Sequence, residues 1–181
     1  MIETQRLKMR EWREGDFEPF AAIYTDEEQA RYIGGAQTRD DAWRRMAAVI
    51  GHWALRGYGL WALEEKATGS FAGWCGHWNP EGFPEPEIGW ALTATMRGRG
   101  LATEAAERAR DYAYGALGWT TAISLIATEN APSIRVAERL GATFERVVQF
   151  RGSECAIFRH PSARSLASKL TQTRRKEDLC L

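Results

Sequence analysis

The chain has no surplus of charge of either sign: 24 Lys and Arg stand against 24 Asp and Glu in 181 residues. A balanced chain lacks the field that gathers polyanions. That argues against a general nucleic-acid binder, a protein held on anionic lipid, or an RNA-associated scaffold. Cysteine is scarce. Cys75, Cys155 and Cys180 are odd in number and far apart. No disulfide framework and no zinc spacing is read, so reduced thiols in a cytoplasmic protein without a metal are expected. No apolar run is long enough to cross a bilayer and no leader is recognisable, so no membrane partner is expected. Internal repeats and low-complexity segments are also lacking. Aromatic residues are abundant, with eight Trp in a chain that is 44% hydrophobic. That composition supports one globular domain with its own core, and leaves a few rings to line a pocket for a flat or cationic ligand.

The most informative stretch runs from Glu87 to Gly115. It reads as a strand (Glu87-Ile88-Gly89-Trp90-Ala91-Leu92), a turn (Arg97-Gly98-Arg99-Gly100-Leu101-Ala102) and a helix over residues 103–114. Two glycines relax the backbone and let a ligand approach main-chain N–H groups. The helix start adds its dipole and its unpaired amides. Arg97 and Arg99 add cations that can fork onto phosphate oxygens. Together these form a cradle for a diphosphate. The plain alternative is a solvated glycine turn before a helix. No Gly-Lys-Ser/Thr follows, so it is not a Walker loop, and the glycine spacing does not suit a dinucleotide fold.

Elsewhere, residues 6–12 read as a first strand, with Asp16 as N-cap of a short helix carrying Phe17, Phe20, Ala21 and Tyr24. Residues 26–33 suggest another helical turn. Thr38 caps a longer helix to Arg56, with Ala42, Met46, Val49, Ile50 and Trp53 on one stripe. Strands are expected at 60–65 and 71–78, paired as a hairpin, and at 122–128. Pro132 opens the next helix, with Ile134, Ala137 and Leu140 inward and Gly141 at its end. A closing hairpin takes 144–150 and 154–159. Trp12 and Trp61 read as core. Residues 1–160 form the expected domain and 161–181 a polar tail, with only Leu166 and Leu170 at helical spacing. The fold class is α/β: about seven strands in a mixed, mostly antiparallel sheet with helices on both faces.

Glu87-Ile88-Gly89-Trp90 followed by Arg97-Gly98-Arg99-Gly100-Leu101-Ala102-Thr103-Glu104-Ala105 closely resembles the acyl-CoA motif of the GNAT acetyltransferase superfamily. That motif has the form Arg/Gln-x-x-Gly-x-Gly/Ala, met by Arg97, Gly100 and Ala102. Residues 130–142, Asn130-Ala131-Pro132-Ser133-Ile134-Arg135 onward, look like the second half of the signature. Thr4-Gln5-Arg6-Leu7-Lys8-Met9-Arg10 and Asp16 resemble the opening of the branch that acetylates ribosomal-protein N-termini at alanine or serine, which also has relatives with other amine substrates. The resemblance covers residues 2–159.

It implies acetyl-CoA as cosubstrate, two central parallel strands splayed at the cofactor, and direct attack of a primary amine on the thioester. The acceptor is a protein N-terminus or, alternatively, a small-molecule amine such as an antibiotic, a polyamine or an amino acid. A non-enzymatic acyl-CoA-sensing domain is a further alternative, because Ala137 stands where other branches carry a tyrosine acid. A homodimer is compatible with the resemblance. Glu87 is the candidate base and Ser133 the candidate proton donor to the thiolate. Leu92 should offer an oxyanion N–H, and Arg97, Gly98, Arg99, Gly100, Leu101, Ala102 and Thr103 should hold the diphosphate. Asn130 and Ser133 should meet the pantetheine arm. Tyr32, Trp74, His77 and Trp78 are candidate acceptor-pocket walls, His77 doubling as a second base. Each has an ordinary alternative: a solvated strand-end carboxylate, a helix-start serine, a turn asparagine, a structural histidine.

Overall fold

The computed structural model describes residues 1–168. Cys180, Leu170 and most of the expected tail lie outside the described residues, and residues 163–168 are helical. Ahead of that last helical segment, the described residues form eight strands and five α-helices in chain order: β1 (Ile2–Glu3), β2 (Leu7–Arg10), α1 (Phe17–Thr25), α2 (Glu27–Ala30), α3 (Arg39–Arg56), β3 (Leu60–Glu65), β4 (Phe71–Trp78), β5 (Glu87–Leu92), α4 (Leu101–Gly115), β6 (Ile123–Ala127), α5 (Ala131–Arg139), β7 (Thr143–Phe150) and β8 (Ser153–Arg159). The short β1 is the strand beyond the expected seven. All eight lie in one sheet, ordered β1-β2-β3-β4-β5-β6-β8-β7. Every neighbouring pair is antiparallel except β5 and β6, which are parallel.

Alternation along the strands divides the core in two. Leu63, Cys75, Ile88 and Leu92 pack beneath α4, whose Ala105, Ala106 and Ala109 are small enough for close approach. On the other face Leu60 and Trp74 meet Phe20, Ile23 and Tyr24 of α1 and Ala42, Met46 and Val49 of α3. A third cluster seals α5 onto β6 and β8 through Ile126, Ala137, Ala156 and Phe158. Ile50 leaves the expected stripe and is 47% exposed, while His52 turns inward. The imidazole is satisfied there, with Nδ1 at 2.8 Å from the Tyr58 carbonyl and Nε2 accepting from the Asn79 amide.

Local signals explain most boundaries. Thr38 accepts from the Asp41 amide at the start of α3, and Gly57 closes that helix in the left-handed conformation. Asn130 accepts from the Ser133 amide at the start of α5. Asp16 does not cap α1 as expected. Its two carboxylate oxygens are taken by the Arg10 guanidinium at 2.8 Å each, and the Arg13 amide also donates to it. Arg10 Nε in turn reaches Glu64 at 2.7 Å. A charge-paired fork outcompetes an N-cap, and it ties β2 and β3 to the turn that launches α1. Gly73 permits close contact of β4 and β5: its φ is +136°, and a Cβ there would lie 2.1 Å from the Ala91 carbonyl oxygen.

Removing Arg10 takes the forked partner from Asp16 and the nearest one from Glu64, both largely withdrawn from water, and leaves Glu64 with Lys8 at 3.3 Å and Arg13 at 3.5 Å. Arg10→Ala is expected to cost about 3–5 kcal/mol of stability in denaturant unfolding; a loss under about 1 kcal/mol would show that water replaces the pairing.

Candidate active site

The parallel pair is the irregular part of the sheet. A single register pair, Glu87 with Ile123, joins β5 to β6, and its rung is the Ile123 amide donating to the Pro86 carbonyl. Beyond it the strands part. Thr93 N–H donates to Ala72 on β4, so by alternation the main-chain groups of Ile88, Trp90 and Leu92 face the β6 side. The Leu92 amide thus points into the gap, where an oxyanion can be held.

A cleft of about 600 Å³ opens over that gap. Arg97, Gly98, Gly100, Leu101, Ala102 and Thr103 line one wall. Helix α4 starts at Leu101, two residues before the expected boundary, immediately after Gly100 at φ +76°. The first closing bond runs from the Glu104 amide to the Gly100 carbonyl. The amides of Leu101, Ala102 and Thr103 therefore have no partner within the helix, and a first turn of this kind can receive an anion. Thr103 Oγ1 is buried without a hydrogen-bond partner, which suits a diphosphate oxygen. Asn130, Pro132 and Ser133 line the opposite wall with Arg135 and Arg139. These two arginines make no ion pair among the described residues. Sequence reading missed them, although their i, i+4 spacing after Asn130 puts both on one helix face.

A smaller pocket of about 90 Å³ continues below, lined by Tyr32, Trp74, Glu87, Gly89, Trp90, Ser124, Asn130 and Ser133 among others. Tyr32, Trp90, Asn130 and Ser133 border both spaces. Glu87 is half-buried. Its Oε1 accepts from the Leu125 amide at 3.2 Å across the fork. Burial pushes the carboxyl up to about 7, with the Leu125 hydrogen bond pulling the other way. A carboxyl at that value can both take and release a proton near neutrality.

Three expected site residues stand elsewhere. Arg99 turns back from the cleft, pairs with Glu65 and donates to Met96 Sδ at 2.9 Å. It anchors the turn to β3. His77 is fully buried on the α4 face among Tyr58, Trp61, Tyr112 and Trp119, with Nε2 2.8 Å from the Ala109 carbonyl. Burial drops its pKa to about 4, so it is a neutral core residue. Trp78 shares Trp74's face but stacks on His52, with ring centroids 4.6 Å apart, and lines neither space. The inherent limit of strand parity is that it assigns a face, not a distance along it.

A strand fork beneath the bare N-terminus of a helix makes a cleft suited to a ligand with an anionic head and an amide-bearing arm. The chain belongs to the GNAT acetyltransferase family: residues 6–143 match the Acetyltransferase (GNAT) domain. It is 29% identical over 169 residues to the uncharacterized protein YkkB of Bacillus subtilis (strain 168), covering 89% of this chain and 95% of that one. It is 25% identical over 154 residues to the uncharacterized N-acetyltransferase YoaA of the same organism, covering 82% and 86%. The crystal structure of an acetyltransferase from Agrobacterium tumefaciens str. C58 superposes with a TM-score of 0.81 at 28% identity, covering 88% and 93%. The protein is an N-acetyltransferase. Among the described residues no helix is long and apolar enough to cross a membrane, and no cluster of His, Cys, Asp and Glu could hold a metal.

The raised carboxyl has a stability signature. Between its ordinary 4.5 and about 7, the folded chain holds a proton that the unfolded chain has lost. Stability therefore falls as pH rises through that window and levels off above it. Glu87→Gln mimics the protonated form, so it is expected to unfold about 1–3 kcal/mol harder than the parent at pH 8. That advantage should vanish near pH 4.5. Urea unfolding at the two pH values checks this, and a difference independent of pH would contradict it.

Proposed function

We propose that this N-acetyltransferase acylates an α-amine, that of a peptide or protein N-terminus, by direct attack within a ternary complex. The observation that carries the reading is the Glu87 carboxyl, held at about 7 at the base of the fork and facing the inner pocket. An α-ammonium titrates near 7.7–8.0 and an alkylammonium near 10.4. Proton transfer to Glu87 from the first is uphill by about one pK unit and from the second by more than three. Among the described residues, Glu87 is the one carboxylate that lines the inner pocket, where a polycationic acceptor would want several. Acetyl-CoA supplies the thioester carbonyl and the sulfur leaving group.

The chain's own residues do the rest. The first-turn amides of α4, Thr103 Oγ1 and Arg97 bind the diphosphate, with Arg135 and Arg139 facing them across the cleft. Asn130 holds the pantetheine arm through its amide nitrogen, since its Oδ1 is engaged by the Ser133 amide. The Leu92 N–H steadies the charge that develops on the carbonyl oxygen. Tyr32 and Trp74 wall the acceptor. Glu87 takes the proton the ammonium must shed, directly or through one water. As the C–N bond forms and the C–S bond breaks, the nitrogen sheds its second proton to the Ser133 hydroxyl, which passes its own to the departing sulfur and so ends the step neutral.

A small-molecule amine is the second reading, favoured by one observation: the inner pocket, about 90 Å³ and walled by rings, also suits a compact monoamine. Coenzyme A release measured with peptides of varied first residue, amino acids, polyamines and aminoglycosides separates the two. Turnover on peptides is the expected result; turnover confined to non-peptide amines would replace the first reading with the second. Glu87→Gln is expected to lower kcat by about 10²–10⁴-fold with little change in acetyl-CoA KM. In the parent, kcat/KM should lose its acid limb near pH 7. Activity retained in Glu87→Gln would dismiss Glu87 as base.

A further inference from the structure

In a regular parallel pair, the rung after Ile123 N–H to Pro86 would be Leu125 N–H to the Ile88 carbonyl. That rung is absent. The Leu125 amide goes to Glu87 Oε1 instead, and the Ile88 carbonyl accepts from Ser124 Oγ at 2.7 Å. Ser124 is 1% exposed and stands in an otherwise apolar strand. Its hydroxyl has one proton, and the carbonyl takes it. The 3.0 Å contact between Ser124 Oγ and His160 Nε2 must then be made by a proton on Nε2. His160, 1% exposed just past β8, is thereby fixed as the neutral Nε2–H tautomer, with Nδ1 buried and unpartnered. Burial first, and the Arg110 charge on α4 second, keep it neutral by dropping its pKa to about 4.

We propose that Ser124, oriented by His160, is the positioning residue for Glu87: it occupies the Ile88 carbonyl, stops the fork from zipping by one more rung, and so reserves the Leu125 amide for the Glu87 carboxylate. The mechanistic weight of this rests on the reading of Glu87 as base; the geometric claim does not. Without the hydroxyl, the Ile88 carbonyl is left short of a partner and draws the Leu125 amide away from Glu87, which then loses the donor that favours its charged form. Other groups facing this corner are few. Cys155 on β8 feels the Glu87 charge and is raised by it after burial, Tyr32 borders the pocket from the segment after α2, and Trp74 of β4 is uncharged.

The test is a carboxyl-carbon NMR titration of Glu87 in the full chain, for parent, Ser124→Ala and Ser124→Thr, with kcat/KM profiles measured alongside. Ser124→Ala is expected to move the Glu87 midpoint up by about half to one pH unit, because a hydrogen bond to the charged form is lost. Ser124→Thr, which keeps the hydroxyl, should restore it, while acetyl-CoA KM stays within about twofold and the acid limb tracks the midpoint. In the parent itself, the Leu125 amide shift should titrate with the Glu87 carboxyl; this readout decides alone if the alanine variant does not fold. An unmoved midpoint in Ser124→Ala, a threonine variant as shifted as alanine, or a Leu125 amide blind to Glu87 would overturn the proposal. The two readings fail separately. A midpoint that moves while Glu87→Gln keeps its activity removes the base and leaves the positioning. A midpoint that stays while Glu87→Gln is dead does the reverse.

Discussion

The structure depends on a parallel strand pair that is joined once and then abandoned. β5 can leave β6 because its other edge is hydrogen-bonded to β4 from Glu87 to Leu92, and β6 can leave β5 because β8 supports it from Ile123 to Ala127. Each strand has one secure neighbour, so the fork costs a few rungs rather than the sheet. The main-chain groups freed by that parting, at Trp90 and Leu92, are the ones that can meet a thioester arm. A buried backbone group without a partner is expensive, so the same parting that opens the cleft gives it an appetite for an amide-bearing ligand.

Charge is distributed to match. Cations stand at the rim on both walls, Arg97 on one and Arg135 and Arg139 on the other, while the inner pocket holds a half-buried carboxyl. The two do not neutralise one another, since no ion pair links them. Supporting contacts lock the parts in place. Glu104, in the first turn of α4, accepts from the amide and Nε of Arg6 at 2.8 and 2.6 Å, and Arg99 ties the preceding turn to Glu65. A motif arginine of the type that suits phosphate thus serves as a tether, holding in place the turn whose amides face the cleft.

Much of this is legible in the amino-acid sequence. The Glu87–Leu92 strand, the glycine turn, the following helix and the Asn130-Ala131-Pro132-Ser133 helix start were all readable, because caps, glycines and hydrophobic period act over a few residues. What failed was long-range. Asp16 has the residue type of an N-cap, but Arg10 reached it first. His77 and Trp78 have the residue types of pocket walls, yet one sits under α4 and the other stacks on His52. Arg135 and Arg139 were available at their helical spacing but were read only as part of a motif.

Local chemistry, then, determined by itself the elements, their order and the family. It did so because backbone preference and side-chain period are properties of short segments. Only the tertiary structure decided which groups share a cavity and what their charges become. Ser124 in an apolar strand, His160 after the last strand and Leu125 carry no sequence signal that joins them to Glu87. They meet because the sheet brings β5, β6 and β8 side by side, and a carboxyl's proton affinity is set by what surrounds it rather than by what flanks it along the chain.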